Sequence, residues 1–144
     1  MPNATRPAFH HIALTVTNLD ASMTWYEKVF DITYQMEVPH QGGTGKILAD
    51  DTWQLMIALH HHGANQSEPF VETRTGLDHV GLAVPTRADL EVWQTHLEQL
   101  GVVRSAAANR PCTQSPIQDH PWGSILVFRD LDNIQLEMFA PPSS

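Results

Sequence analysis

Residues 8–16, AFHHIALTV, and residues 77–85, LDHVGLAVP, decide the fold, because they read as two copies of one strand. With His11 laid on His79 (79 − 11 = 68), Leu14 falls on Leu82, Val16 on Val84 and Trp25 on Trp93. An offset shared by strand, turn and helix marks duplication of a supersecondary unit, and two copies at so long a period describe a two-module domain, not a solenoid. Neighbouring side chains in a strand point to opposite faces, so His10 and His11 cannot look into the same cavity. Asp78, before His79, is unsuited to a core. The shared phase therefore sets His11, Ala13 and Thr15 on the inward face, with His79, Gly81 and Ala83 in the second copy. His10 is expected to point the other way. Small residues beside an inward imidazole leave room for a bound group.

Each copy continues as strand, helix and three strands. The first strands are expected over Phe9 to Val16 and Leu77 to Val84. TNLDASMTWYEKVFDI spaces Leu19, Met23, Tyr26 and Phe30 along one helical face, with Asn18 or Asp20 as N-cap. PTRADLEVWQTHLEQLG does the same with Leu90, Trp93, Leu97 and Leu100, with Thr86 and Asp89 as a capping box and Gly101 as the stop. Trp25 and Trp93 are expected to anchor the core. The remaining strands are expected over Thr33 to Val38, Gly45 to Ala49, Trp53 to His60, Val102 to Ala107, Gly123 to Arg129 and Ile134 to Phe139. HQGGTG, DDT and DLDN are turns, and NRPCTQSPIQDHPW is a loop. The fold class is α+β: two tandem βαβββ modules, at 7–62 and 76–141, joined by a polar linker at 63–75 and forming a cupped mixed sheet around a metal site.

The whole chain is consistent with one domain. It has 144 residues, 42% hydrophobic and 17% charged, an ordinary globular balance. A net charge of −8 disfavours nucleic acid and anionic membranes as partners. No apolar run is long enough to span a bilayer, and MPNATRPAF lacks the regions of a signal peptide. A single cysteine, Cys112, excludes an internal disulfide framework and makes the cytoplasm the expected compartment. Cys112 itself has no activating context and reads as a plain loop residue.

The last strand, IQLEMFAPP, carries Glu137 among apolar neighbours, where a carboxylate is costly unless paired or bound to a cation. Two inward imidazoles and one carboxylate on separate strands form a three-point facial site suited to Fe(II), Zn, Mn, Ni or Co, with positions left open for substrate. The competing reading is two hydrogen-bonded core histidines and an unrelated Glu.

HHIALTVTNLDASMTWYEKVF, GLDHVGLAV and GSILVFRDLDNIQLEMF together resemble the vicinal oxygen chelate superfamily: glyoxalase I, extradiol dioxygenases, fosfomycin and bleomycin resistance proteins, and methylmalonyl-CoA epimerase. DLDN stands where that family usually has Asp-Pro-Asp-Gly. The resemblance implies metal ligands at His11, His79 and Glu137, a small-molecule substrate bound through two oxygens, and a homodimer in which the first module of one chain faces the second of its partner. Glyoxalase-type isomerases carry a further carboxylate in the fourth strand of the first module. Here WQLMIALHHH offers Met56 in one alignment and Ala58 in another. The set His-His-Glu is the one used by extradiol dioxygenases and fosfomycin-modifying enzymes, so the expected activity is Fe(II) dioxygenation. The alternatives are a glyoxalase-like isomerase or lyase, and a resistance protein that sequesters its ligand without turnover. His60, on the face of Met56 and Ala58, and His120, before the seventh strand, are the candidate acid or base residues.

Overall fold

The computed structural model describes residues 3–143. It divides into two compact units, the first ending at Asn65 and the second beginning at Gln66. The first contains β1 (Ile12–Thr15), α1 (Leu19–Phe30), β2 (Thr33–His40), β3 (Gly43–Ala49) and β4 (Met56–His62), with sheet order β1-β4-β3-β2. β1 runs parallel to β4 and the other pairs are antiparallel. α1 starts where the Asn18 carboxamide accepts from the Ala21 amide, and it ends at Asp31 in a left-handed conformation. Asp20, the other expected cap, instead pairs with Lys46 at 3.1 Å. Trp25, Tyr26 and Val29 bury one face of the helix against the sheet side that carries Leu14, Val16, Leu48, Ile57 and Leu59. Each such side chain stabilises the unit by about 1.5–3 kcal/mol. The other side of the sheet has no helix and is its open face.

The second unit contains β5 (Val80–Ala83), α2 (Arg87–Gln99), β6 (Val103–Arg104), β7 (Thr113–Gln114), β8 (Gln118–His120), β9 (Gly123–Arg129) and β10 (Gln135–Ala140). The order is β5-β10-β9-β7-β6, with β8 also on β9 and β5 parallel to β10. Thr86 and Asp89 form the expected capping box, and α2 buries Leu90 and Leu97. Trp93 is only half-buried, its ring edge against His96. The two units are therefore α+β repeats, each with one helix and one mixed sheet.

Several boundaries differ from expectation. β1 and β5 begin at Ile12 and Val80, so His11 and His79 each sit one residue ahead of a ladder. Gly42, at φ +85, closes a two-residue hairpin, so β2 reaches His40 and β3 starts at Gly43. β4 starts at Met56 because the Asp50 carboxylate holds the preceding turn, accepting from Thr52 and from the Leu55 amide. Those two contacts, Thr52 first, keep the Asp50 carboxyl below its ordinary range. Asp130 builds the matching turn in the second unit, accepting from the Asp132 and Ile134 amides, so the offset has grown to 80 (130 − 50). The extra residues lie between α2 and β9. There the expected strand at 102–107 shrinks to β6, and the expected loop supplies β7, between Pro111 and Pro116, and β8, between Pro116 and Pro121, bounded by residues that cannot donate to a ladder.

Part of the segment expected as linker is bound into the second unit. The Phe70 amide donates to the Asp132 carbonyl, and Asn133 donates back to the Phe70 carbonyl. Arg129, 4% exposed, makes two hydrogen bonds to Glu72 and also donates to the Ala108 and Asn133 carbonyls and to Gln135. Arg129→Met leaves these acceptors without their cation and should cost about 3 kcal/mol in urea unfolding. The same guanidinium holds the Glu72 carboxyl down to about 2 from an ordinary 4.5. A depressed carboxyl stabilises the folded state above its unfolded pKa, and that contribution is lost as the pH falls from about 4.5 towards 2. Glu72→Gln should flatten the stability profile across that window.

Candidate metal centre

β10 registers on β5 with Glu137 opposite Gly81, so the two share the open face of the second sheet. His79, just ahead of β5, turns its Nε2 to within 2.9 Å of Glu137 Oε2. Its Nδ1 lies 2.7 Å from Asp78 Oδ1, which also accepts from Gln135 Nε2 at 3.2 Å. Asp78 thus holds the tautomer: with Nδ1–H donated to it, the Nε2 lone pair faces a carboxylate. Two lone-pair atoms at that separation need a proton or a cation between them. Ligands about 2.1 Å from one ion and at right angles to each other stand about 3 Å apart, so the pair fits a divalent metal. A Cβ at Gly81 would meet open space, so nothing in the unit fills the ground beside the pair.

In the first unit His11 is exposed, and its Nδ1 is 2.8 Å from His10 Nδ1. Ala13 and Thr15 lie on the open face, while Leu14 and Val16 are buried under the helix, the alternation expected of this strand. The parallel register sets Ala13 opposite Ala58, as Gly81 stands opposite Glu137. The position equivalent to Glu137 is therefore Ala58, and the alignment that chose Met56 is excluded. Among the described residues, no three His, Cys, Asp or Glu side chains are gathered to hold an ion as they stand.

His60 occupies the place that Phe139 has in the second unit: the Val16 amide donates to the His60 carbonyl as the Val84 amide does to that of Phe139. It is not alone. Ala13, Thr15, His40, His60 and His62 line an open cavity of about 390 Å³ with Leu14. Burial, then the neighbouring His40, His62 and His11 rings, lowers the His60 pKa. His120 is exposed and stacks on Trp122 with 4.4 Å between centroids, and Trp122 stacks in turn on Phe139. Burial and the Asp130 carboxylate push the Cys112 thiol up, which suits an inert loop residue. Asp78, Gln135, His40 and His62 were not assigned site roles from the sequence. The i, i+2 histidines of β4 carried that signal for His62, and the carboxylate beside His79 carried it for Asp78.

Residues 8–138 match the family model described as Glyoxalase/Bleomycin resistance protein/Dioxygenase superfamily. The crystal structure of a glyoxylase/bleomycin resistance protein/dioxygenase domain from Frankia sp. EAN1pec is 30% identical, with a TM-score of 0.82 over 97% of this chain and 96% of that one. Fosfomycin resistance protein FosX from Listeria monocytogenes is similar in fold at 16% identity, with a TM-score of 0.67 over 96% of each chain. Its complex with Mn(II) and sulfate gives a TM-score of 0.61 at 16% identity, over 96% of this chain and 95% of that one. Among proteins of curated function, none matches significantly.

Replacing His40 with Gln removes one of the rings that depress His60. The His60 imidazole should then titrate at higher pH, read from its C–H proton resonances by NMR.

Proposed function

The chain belongs to the glyoxalase/bleomycin resistance protein/dioxygenase superfamily, and from that premise we propose that it is a divalent-metal-dependent enzyme for a small molecule with two adjacent oxygens. His11, His79 and Glu137 are the protein ligands in this reading, gathered from both units either within a chain or between two chains. The observation that carries it is the 2.9 Å approach of His79 Nε2 to Glu137 Oε2, with Asp78 behind the ring and open space beside it. When bound, the ion supplies Lewis-acid polarisation of the chelated oxygens and, as Fe(II), dioxygen chemistry. Fe(II), Zn, Mn, Ni and Co all accept this donor set.

Ala58 separates the finer readings. Without a carboxylate there, the protein offers three ligands and no fourth-strand carboxylate base, which favours extradiol-type oxygenation over glyoxalase-type isomerisation. Isomerisation would draw on His60, opposite Thr15 on the open face, or on His120 for proton transfer. A second reading, fosfomycin modification, is supported by the likeness to FosX, whose structure holds Mn(II). It has weaker support from side chains. Thr113 Oγ1 and Gln114 Nε2 donate to the Arg110, Gln94 and Val102 carbonyls. Lys46, Arg87, Arg104 and Arg129, half of the eight Lys and Arg, are held in ion pairs and so are drawn away from a phosphonate. A homodimer fits the exposed Tyr34, Met36 and Val38 on β2, an edge strand that pairing would cover.

Elemental analysis of anaerobically purified protein should find tightly held metal. His11→Ala, His79→Ala and Glu137→Ala should each abolish tight binding at this centre and His10→Ala should not, while Asp78→Asn should weaken it about 10–100-fold. Purified protein without metal and without affinity for it would leave only the sequestering class. Oxygen uptake with catechols supports the dioxygenase, and thiol-independent opening of fosfomycin with Mn(II) supports the second reading. Mixing His11→Ala with Glu137→Ala chains distinguishes the assemblies: partial recovery of metal binding means ligands shared across a dimer, and no recovery despite subunit exchange means sites built within one chain.

A further inference from the structure

The fourth strand of the first unit ends in three consecutive histidines, and alternation puts His60 and His62 on the open face with His61 opposed. β2 contributes His40 to the same face, although β3 lies between the two strands and neighbours two strands apart are separated by about 10 Å. Register explains how they meet. Gly43 stands opposite both His40 and His62, and Gly45 stands opposite His60. These glycines leave a gap in the side-chain layer, and imidazoles from both flanks lean into it. A Cβ at Gly43 would come within 2.8 Å of His40 Cε1, and one at Gly45 within 2.5 Å of His60 Cε1. The ring centroids stand 4.8 Å apart for His40 and His62, 5.1 Å for His40 and His60, and 6.3 Å for His60 and His62.

His40 shows what the cluster is set up to receive. Its Nδ1 lies 3.2 Å from the Gln41 carbonyl oxygen, which can only accept, so Nδ1 carries the proton and Nε2 is a bare lone pair. That Nε2 is buried and has no hydrogen-bond partner. A backbone carbonyl behind one nitrogen and an unfilled lone pair on the other is the arrangement of a metal-ligating histidine. We propose that His40, His60 and His62 form a second metal site, distinct from the His79–Glu137 pair, for a divalent transition ion that prefers imidazole, such as Zn(II), Ni(II) or Cu(II). Two imidazoles on one ion have centroids about 4.5–5.5 Å apart, so two of the three separations already suit it and the third must close by about 1 Å. The donors do not converge as they stand, and the rings reach the ion by turning about their Cα–Cβ as well as their Cβ–Cγ bonds. An ion there takes the His60 lone pair, so a loaded cluster removes His60 as a base for the reaction.

The test uses the full chain with the first site removed, His79→Ala/Glu137→Ala, stripped with chelator and titrated with Co(II) and with Zn(II). One ion per chain should bind, Co(II) should give visible ligand-field absorption, and Zn(II) should raise the Tm. Adding His40→Gln, His60→Gln or His62→Gln should weaken Zn(II) binding at least tenfold and abolish the Tm shift, while adding His61→Gln should change neither. No binding in the double variant overturns the proposal, as does binding that His61→Gln weakens as much as the others. Failure of the first site would show separately, as wild-type chain whose metal is lost only with the three cluster histidines.

Discussion

Parallel pairing of the first and last strands of each unit is the constraint from which the sites follow. A strand at the beginning of a βαβββ unit can lie parallel to the one at its end only if the intervening helix crosses one face, which leaves the other face bare. On that bare face β10 carries Glu137 past Gly81 and next to His79, far away in sequence. In the first unit the same pairing carries Ala58 past Ala13 and brings His60 beside Thr15. Residues that follow the register become neighbours whatever their chemistry, and the two copies have filled equivalent places differently: Glu137 against Ala58, Phe139 against His60.

The two open faces are electrostatically unlike. The second holds an imidazole bracketed by two carboxylates, a place where a positive charge is welcome. The first holds a group of imidazoles, among which burial and the neighbouring rings lower the pKa of His60. The helix-covered faces have an ordinary apolar core, and the unusual cost is carried by Arg129, buried but satisfied by Glu72, Gln135 and two carbonyls. That hub ties the opening segment of the second unit, through Glu72, to the hairpin that presents Glu137.

Much of this architecture was legible in the sequence. Period-two and helical patterns around His11 and His79 carried the duplication, both helices and the strand phase, since these depend on local propensity and on which face is apolar. The Thr86–Asp89 cap was legible because it is a contact between residues three apart. What escaped was decided by partners distant in the chain. β1 stops short of Phe9 because β4 supplies no ladder beyond Met56. The strand expected at 102–107 shortens to β6 because β7, at Gln114, takes the place beside β9 and leaves β6 to pair with β7. The choice between Met56 and Ala58 needed the parallel register. His40 joined His60 and His62 only through the glycines of an intervening strand, which no spacing rule over one segment could reveal.

The carboxylate turns at Asp50 and Asp130 have a further consequence. Each is closed by a side chain reaching a few residues ahead, so each final hairpin counts its register from its own acid and not from the chain before it. Residues inserted between α2 and β9 have lengthened the second copy without shifting the phase of β10. The fold therefore separates what must hold still from what can drift. The loop at 105–112, ahead of β7, can change length without moving the strand bearing Glu137, whose facing is set by its own turn. Such a division lets one scaffold change its selectivity by insertion and deletion, leaving the coordinating face untouched.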